Sequence, residues 1–151
     1  MARYDKYDPY SGGFRAALAA DFNAGAPVNG VYPNFGKVYA VGLNSSGLLT
    51  IGAIAADPGC VGLLVLTSAK YAGDVVDVMT HGEIVDINTA ATPFDNFHVA
   101  GTPTAAAAGK KYYGVAADGT ISTTNTGNYA VGWTVEAKRL IVRLGNRALA
   151  A

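Results

Sequence analysis

Strand-forming runs recur along this chain about every ten residues, each closed by a turn rich in Gly, Asn, Asp or Ser. The clearest pairs are KVYAVGL (37–43) with LLTIGA (48–53), and KKYYGVA (110–116) with TISTT (120–124). GLLVLT (62–67) is a continuous apolar run, as in a strand buried on both faces, and 129–144 predicts two final strands around EAK. Without long helical patterns, this spacing predicts an all-β protein, a small barrel or sandwich of short antiparallel strands.

Residues 1–35 are unlike the rest of the chain, because they combine Gly, Pro, Asn and both signs of charge with many aromatic residues. The aromatic residues are Tyr4, Tyr7, Tyr10, Phe14, Phe22, Tyr32 and Phe35. Only FRAALAAD (14–21) has helical propensity, and a helix that short is marginal alone. Aromatic side chains dominate interface energetics. We therefore expect an extended N-terminal arm (1–35) that docks on a partner or a neighbouring copy, followed by a β domain (36–151). The alternative is an arm that packs back on its own domain.

Composition limits the classes of partner and the compartment expected for this chain. Charged residues make up 15% of the chain, against about 25% in typical soluble proteins, which suggests a surface partly covered by other protein. The formal net charge is zero, which argues against a nucleic-acid partner. No apolar run approaches the roughly 18 residues of a membrane span, and the N-terminus lacks the apolar region of a signal peptide. We expect a protein made and used in a cytosol-like compartment, or in a particle assembled there.

The stretch GDVVDVMTHGEIVD (73–86) raises the question of an active site, because it gathers four Asp or Glu residues and a histidine without Lys or Arg. Its β-branched residues favour strands. A two-residue turn at His81 and Gly82 predicts a β-hairpin in which Asp77 lies opposite Asp86. Such like charges destabilise a sheet unless solvent, an Arg from elsewhere, a cation or a looser register compensates. Calcium needs six to eight oxygens, so we expect solvated acids or a salt bridge between subunits, and no metal site.

Other catalytic templates are missing from the sequence. It contains no G-x-S-x-G, H-E-x-x-H, phosphate loop or paired-cysteine metal motif, and Cys60 is the only cysteine. Trp133, in the alternating run YAVGWTVEA, is expected in the core rather than on a ligand platform. The interpretation is therefore a protein that is not an enzyme and uses no cofactor.

Charge is segregated along the chain. Five acids and no base lie between Tyr71 and Asp95, whereas four bases and no acid lie between Ala137 and Ala151. Opposite charges on different parts of one chain suit contacts between copies, although two solvated faces would give the same pattern. The candidates for such contacts are Asp77, Asp86, Arg139, Arg143 and Arg147. The long loop 88–109 is a further candidate to contact a neighbouring subunit.

Three segments of the sequence are MARYDKYDPYSGGFRAALAADF, GLLVLTSAKYAGDVVDVMTHGEIVD and the closing GWTVEAKRLIVRL. These segments resemble capsid decoration (cement) proteins of tailed bacteriophages, particularly those that infect actinobacteria. The resemblance spans most of the chain, and no segment in it is a catalytic signature.

The resemblance implies a non-enzymatic virion protein on the outer surface of the capsid, made in the host cytoplasm. Such proteins are commonly trimers that bridge capsomers, so the implied partners are the major capsid protein and further copies of the chain. Residues for a capsid-binding arm follow from composition and position alone: Tyr4, Tyr7, Tyr10, Phe14 and Arg15. The alternative is a β-sandwich binding module for carbohydrate or a host surface, displayed on the virion, which would need an exposed aromatic platform.

Overall fold

Two antiparallel five-stranded sheets make up most of the structure. The computed structural model describes residues 12–23, 25–26, 34–35, 37–54, 58–85, 98–99, 102–103, 107–137 and 139–145. The first sheet contains β1 (Gly13–Ala17), β2 (Val38–Leu43), β3 (Leu49–Ile51), β4 (Gly62–Val65) and β5 (Val75–Met79). Its strand order is β1-β5-β4-β2-β3.

The later strands build the second sheet and a small ladder. They are β6 (His81–Val85), β7 (His98–Val99), β8 (Thr102–Pro103), β9 (Lys111–Gly114), β10 (Ile121–Ser122), β11 (Tyr129–Glu136) and β12 (Arg139–Arg143). The second sheet has the order β10-β9-β11-β12-β6, and β7 pairs with β8 alone. The predicted all-β class is therefore confirmed, as are the pairings of β2 with β3, β9 with β10, and β11 with β12.

Local turn chemistry explains the hairpin that joins β2 to β3. The side-chain oxygen Oδ1 of Asn44 accepts hydrogen bonds from the backbone N–H groups of Ser46 (2.9 Å) and Leu48 (3.0 Å). Gly47 follows at φ 75°, a left-handed conformation that glycine adopts without steric cost. Asn at the start and Gly at the end of NSSG therefore set the turn, as the sequence predicts.

The two sheets pack face to face through an apolar cluster to which both contribute. Its buried members are Val38, Ala40, Ile54, Leu63, Tyr112, Ile121, Val131, Leu140 and Val142. The sheets approach closely where Gly114 faces Ala40, since a Cβ at Gly114 would lie 2.4 Å from the Ala40 Cβ. The sheets do not close on themselves. Of the two predicted architectures, a barrel and a sandwich, the structure therefore has the sandwich.

A second cluster covers the opposite face of the first sheet. It consists of Leu18, Phe22, Tyr39, Val41, Leu49, Leu64, Leu66, Val76 and Val78. On β4, the consecutive residues Leu63 and Leu64 enter different clusters, so the predicted burial on both faces is confirmed at these two residues, whereas Val65 is exposed. The ring of Phe22 stacks on Phe35 at 6.2 Å between centroids and meets Tyr39 edge-on at 5.9 Å.

Part of the segment predicted as an arm lies within the first sheet. Residues expected to be extended or marginally helical form strand β1, which pairs with β5. The chain then crosses the first sheet, with the Ala19 N–H donating to the Leu49 carbonyl oxygen at 2.9 Å, and buries Leu18 and Phe22. From Gly13 to Phe22 the chain therefore belongs to the β domain, because its apolar side chains complete the second cluster. Residues 1–11 lie outside the described residues.

The predicted hairpin at 73–86 is wrong. β5 pairs with β1 and β4 in the first sheet, whereas β6 pairs with β12 in the second. Thr80 thus carries the chain from one sheet to the other rather than into a tight turn. Glycines make room for this corner, since a Cβ at Gly13 would lie 2.0 Å from the carbonyl oxygen of Val78. The hairpin register that would place Asp77 opposite Asp86 therefore does not form, since β5 and β6 lie in different sheets, and Asp86 itself lies outside the described residues.

Candidate interaction surface

The acid on β5 is neutralised by a base from the neighbouring strand. Asp77 lies directly opposite Arg15 in the β1–β5 register, and Arg15 Nε is 2.6 Å from Asp77 Oδ1. Both side chains are largely exposed, so the pair favours this strand alignment more than it stabilises the fold. Within the described chain, the basic partner of Asp77 is therefore Arg15.

The acid on β6 is paired in the same way. Arg139 on β12 donates from Nε to Glu83 Oε2 at 2.7 Å and lies 3.3 Å from Glu136 Oε1. Hydrogen bonding to Glu83, and secondarily to Glu136, raises the pKa of Arg139 above its usual value. The guanidinium thus links three strands at the rim of the second sheet.

The remaining predicted site residues fall into two groups. Phe14 is on β1 and packs against the second apolar cluster, so it is partly buried. Arg143, opposite His81 in the β12–β6 register, is exposed and has no ion-pair partner among the described residues. The other predicted residues lie outside the described part of the chain: Tyr4, Tyr7, Tyr10, Asp86 and Arg147.

A corner groove of about 560 Å³ lies where the two sheets diverge. We use this name for the space lined by Gly12, Gly13, Phe14, Arg15, Leu63, Val65, Asp77, Val78, Met79, Glu83 and Ile84. Its floor is the inner face of the first sheet, where Leu63 and Met79 are register partners. Val65 is on this same face and is still 41% exposed. The second sheet therefore leaves part of the inner face uncovered.

The outer face of the second sheet carries an exposed aromatic and apolar row. We use "outer face" for the side chains that point away from the sandwich around Trp133. In register, Trp133 lies between Lys111 and Ile141, and Ile141 lies opposite Glu83. The Lys111 ammonium is 5.7 Å from the centre of the neighbouring Tyr113 ring, within the range of a cation–π contact.

Trp133 is 41% exposed, so the expectation of a core position is wrong. The register of β11 against β9 shifts between Ala130 and Gly132. This bulge lets Val131 enter the core while Trp133, two residues later, points outward. Strict alternation would put both on one face. The signal that sequence reasoning lacked was the bulge, which repositions side chains without leaving a motif.

The chemistry that these surfaces offer is recognition. The outer face combines a large aromatic, an apolar neighbour and charged groups at the rim, the mixture enriched in protein interfaces. Val135, 58% exposed on the same strand, extends it. In the described part of the chain there is no group of three or more His, Cys, Asp or Glu side chains placed to hold a metal ion. Nor do the described residues include a helix with the length and hydropathy of a membrane span.

Comparison with known proteins shows a similarity to a bacteriophage protein. No protein-family model matches the sequence, and no curated protein matches it. Among solved structures, a protein of Mycobacterium phage Patience is similar, with a TM-score of 0.63 and 25% sequence identity. The similarity covers 95% of this chain and 96% of that one. It supports a small all-β sandwich protein of bacteriophage origin.

Proposed function

We propose that this chain is a non-enzymatic structural protein of a phage particle, which binds the outer surface of the capsid and stabilises the shell by bridging capsomers. The observation that carries the proposal is the similarity to a mycobacteriophage protein over nearly the whole length of both chains. It agrees with the resemblance of three sequence segments to capsid decoration proteins. The partners are then the major capsid protein and further copies of this chain, as a homotrimer.

The outer face supplies a contact surface for this role. Trp133 is exposed on β11, the central strand of the second sheet, with Lys111 and Ile141 as its cross-strand neighbours. A fixed aromatic side chain costs little conformational entropy on binding, and Trp is among the residues most enriched at interface hot spots. A capsid protein that covers this row would remove Trp133 and Val135 from water.

Sedimentation with phage heads that lack the protein tests the proposal. The chain should sediment with the heads and raise the temperature at which they release DNA. Trp133→Ala should weaken binding roughly tenfold or more, as for a hot spot. Tyr71→Ala, which removes a 66% exposed aromatic outside β11, should bind as the unmodified chain does. Failure of the unmodified chain to bind heads would reject the function. Equal binding by the Trp133→Ala and Tyr71→Ala variants would reject only the outer face as the contact surface.

The arm needs a variant that spares the fold. Removing residues 1–15 would also delete most of β1 (Gly13–Ala17) and the partner of Asp77. The double substitution Tyr4→Ala and Tyr7→Ala changes no residue of the described strands. If the arm docks on the shell, this variant should occupy fewer sites on the heads at equal concentration. Unchanged occupancy would remove Tyr4 and Tyr7 from the contact.

The exposure of Trp133 also favours a second candidate, a glycan-binding or host-surface-binding module on the virion. Such a module needs an accessible aromatic platform, and Trp133 with the partly buried Tyr113 provides one on the outer face. A glycan array separates the two candidates. Binding of a sugar that Trp133→Ala abolishes, with no binding to heads, would select the second.

A further inference from the structure

The outer face of the second sheet carries a row of side chains whose two ends have opposite charge. The row crosses four adjacent strands, β9, β11, β12 and β6, at one register position. In strand order it consists of Lys111, Trp133, Ile141 and Glu83. Residues directly opposite each other in antiparallel strands lie on the same face of the sheet. A base, two apolar side chains and an acid therefore follow one another across about 15 Å of surface.

A second pair of charges lies beside this row, towards the turn that joins β11 to β12. Glu136 is the register partner of Arg139, beyond the register shift after Thr134. Both charged side chains reach solvent. The midline between β11 and β12 therefore has an acid on one side and a base on the other, in the pair as in the row.

A twofold axis along this midline makes the face complementary to itself. Two copies of one face can oppose each other about an axis that lies in the plane of contact, and each contact then occurs twice. An axis parallel to the strands, between β11 and β12, exchanges the two halves of the face. Lys111 then lies over the second copy's Glu83, and Trp133 lies over its Ile141.

The charges select this axis over one at right angles to the strands. The perpendicular axis would place Lys111 over Lys111 and Glu83 over Glu83, and such like-charge contacts are costly. The axis along the strands also places Glu136 over the second copy's Arg139. It keeps the strands of the two stacked sheets near the alignment that packed sheets prefer, within about 30°. Each charged side chain of the row and of the pair then meets the opposite charge.

We propose that the outer face is a twofold interface at which two copies of this chain pair in solution, and that the capsid replaces the second copy when the chain binds the shell. Trp133 is 41% exposed in the single chain, and pairing removes this ring from water. The replacement step rests on the proposed function, which assigns the same face to the shell. The homotrimer would then form on the shell from chains released by this separation.

The size of the face predicts a weak pair. Four strands about 4.8 Å apart, and a similar length along them, give roughly 400 Å² per copy. Stable interfaces bury about 800 Å² per partner. We therefore expect pairs at about 100 μM protein and single chains at about 1 μM. A pair this weak separates readily, as replacement by the capsid requires.

Sedimentation equilibrium of the purified chain over this concentration range tests the pairing without phage heads. The mass should rise from that of one chain toward that of two. Lys111→Glu sets acid against acid at both ends of the interface, so it should weaken pairing roughly tenfold or more. Glu83→Lys should do the same with two bases. Lys110→Glu is the matched control, because it makes the same charge change one residue outside the row and should pair as the unmodified chain does.

A mixture of the two charge variants tests the contact between Lys111 and Glu83. Each variant alone pairs poorly, but a mixed pair of Lys111→Glu and Glu83→Lys chains has an acid opposite a base at both contacts. Mixed pairs should therefore form at the concentration that the unmodified chain needs. A single-chain mass at every concentration, a mass of three copies, equal pairing by Lys111→Glu and Lys110→Glu, or a mixture that stays unpaired would overturn the interface.

Cross-linked pairs test the replacement by the capsid. A carbodiimide should join Lys111 to the second copy's Glu83 through an amide bond, and size exclusion then isolates the linked pairs. Phage heads that lack the protein should take up treated single chains from the same reaction but not the linked pairs. Equal uptake of both would overturn the replacement step. Failure of the single chains and of the unmodified chain to bind heads would reject the proposed function, whereas the sedimentation result decides the pairing on its own.

Discussion

At the scale of single residues, Cys60 shows how burial controls reactivity. Loss of contact with water raises the pKa of its thiol to about 11, although hydrogen bonds with the backbone of Gly62 and Val41 oppose the shift. The thiolate is the reactive form. At pH 8 we therefore expect iodoacetamide to modify folded Cys60 on the order of 100-fold more slowly than the urea-unfolded chain. Alkylation rates with and without urea measure this ratio.

The same shift gives a pH dependence with a definite sign. Folding favours the neutral thiol. The contribution of the thiol to the free energy of unfolding is therefore complete below about pH 9 and is lost between about pH 9 and 11, as the unfolded thiol ionises.

The control chain for the alkylation measurement carries Cys60→Ser and Ser45→Cys, which moves the only thiol to an exposed turn. That thiol should react rapidly in the folded state. Equal rates for the two folded chains would contradict the burial argument.

Residue types were easier to predict than residue partners. The sequence shows that Asp77 is charged, but not that it pairs with Arg15, which lies 62 positions away. Only the β1–β5 register brings them together. For the same reason Trp133 was misplaced, because its direction depends on a bulge against β9. Composition indicates which side chains carry charge or aromatic surface, whereas long-range strand pairing decides where they point.

At the scale of elements, the segment 18–22 should act as part of the core. Leu18 and Phe22 are 2% and 7% exposed and lie over the first sheet. Phe22→Ala should lower the free energy of unfolding by about 3–5 kcal/mol, because it removes a ring and leaves a cavity. Tyr71→Ala, at a 66% exposed ring, should change it by less than about 0.5 kcal/mol. Urea unfolding measures both values. A small effect of Phe22→Ala on the free energy of unfolding would instead support an N-terminal arm that is independent of the β domain.

The elements best predicted were those that local chemistry defines. The β2–β3 hairpin follows from Asn44 and Gly47, which set the turn whatever the rest of the chain does. The corner at Thr80 has the same appearance in sequence, two β-rich runs joined by a short polar stretch with a glycine. The strand pairing on either side of this corner depends instead on Gly12 and on the edge of β12, both distant in sequence. Local rules therefore favoured a hairpin where tertiary pairing separates the strands.

At the scale of the whole molecule, the first sheet is central, because each of its faces carries a buried apolar cluster. One face shares a cluster with the second sheet, and the other holds the segment 18–22. The all-β class was predictable from strand spacing alone. The sandwich and its outer face were not, because they depend on which strands share a sheet.

Shared packing predicts that the two sheets unfold together. Leu64 is 1% exposed in the cluster on the far side of the first sheet, whereas Trp133, the only tryptophan, reports on the second sheet. Leu64→Ala should destabilise the fold by about 2–5 kcal/mol. If the sandwich is one cooperative unit, this variant should shift the urea midpoint of Trp133 fluorescence and of circular dichroism equally. Val135→Ala, at a 58% exposed position on β11, should shift neither. A Trp133 transition that stays in place while circular dichroism becomes biphasic would mean that the second sheet folds independently of the first.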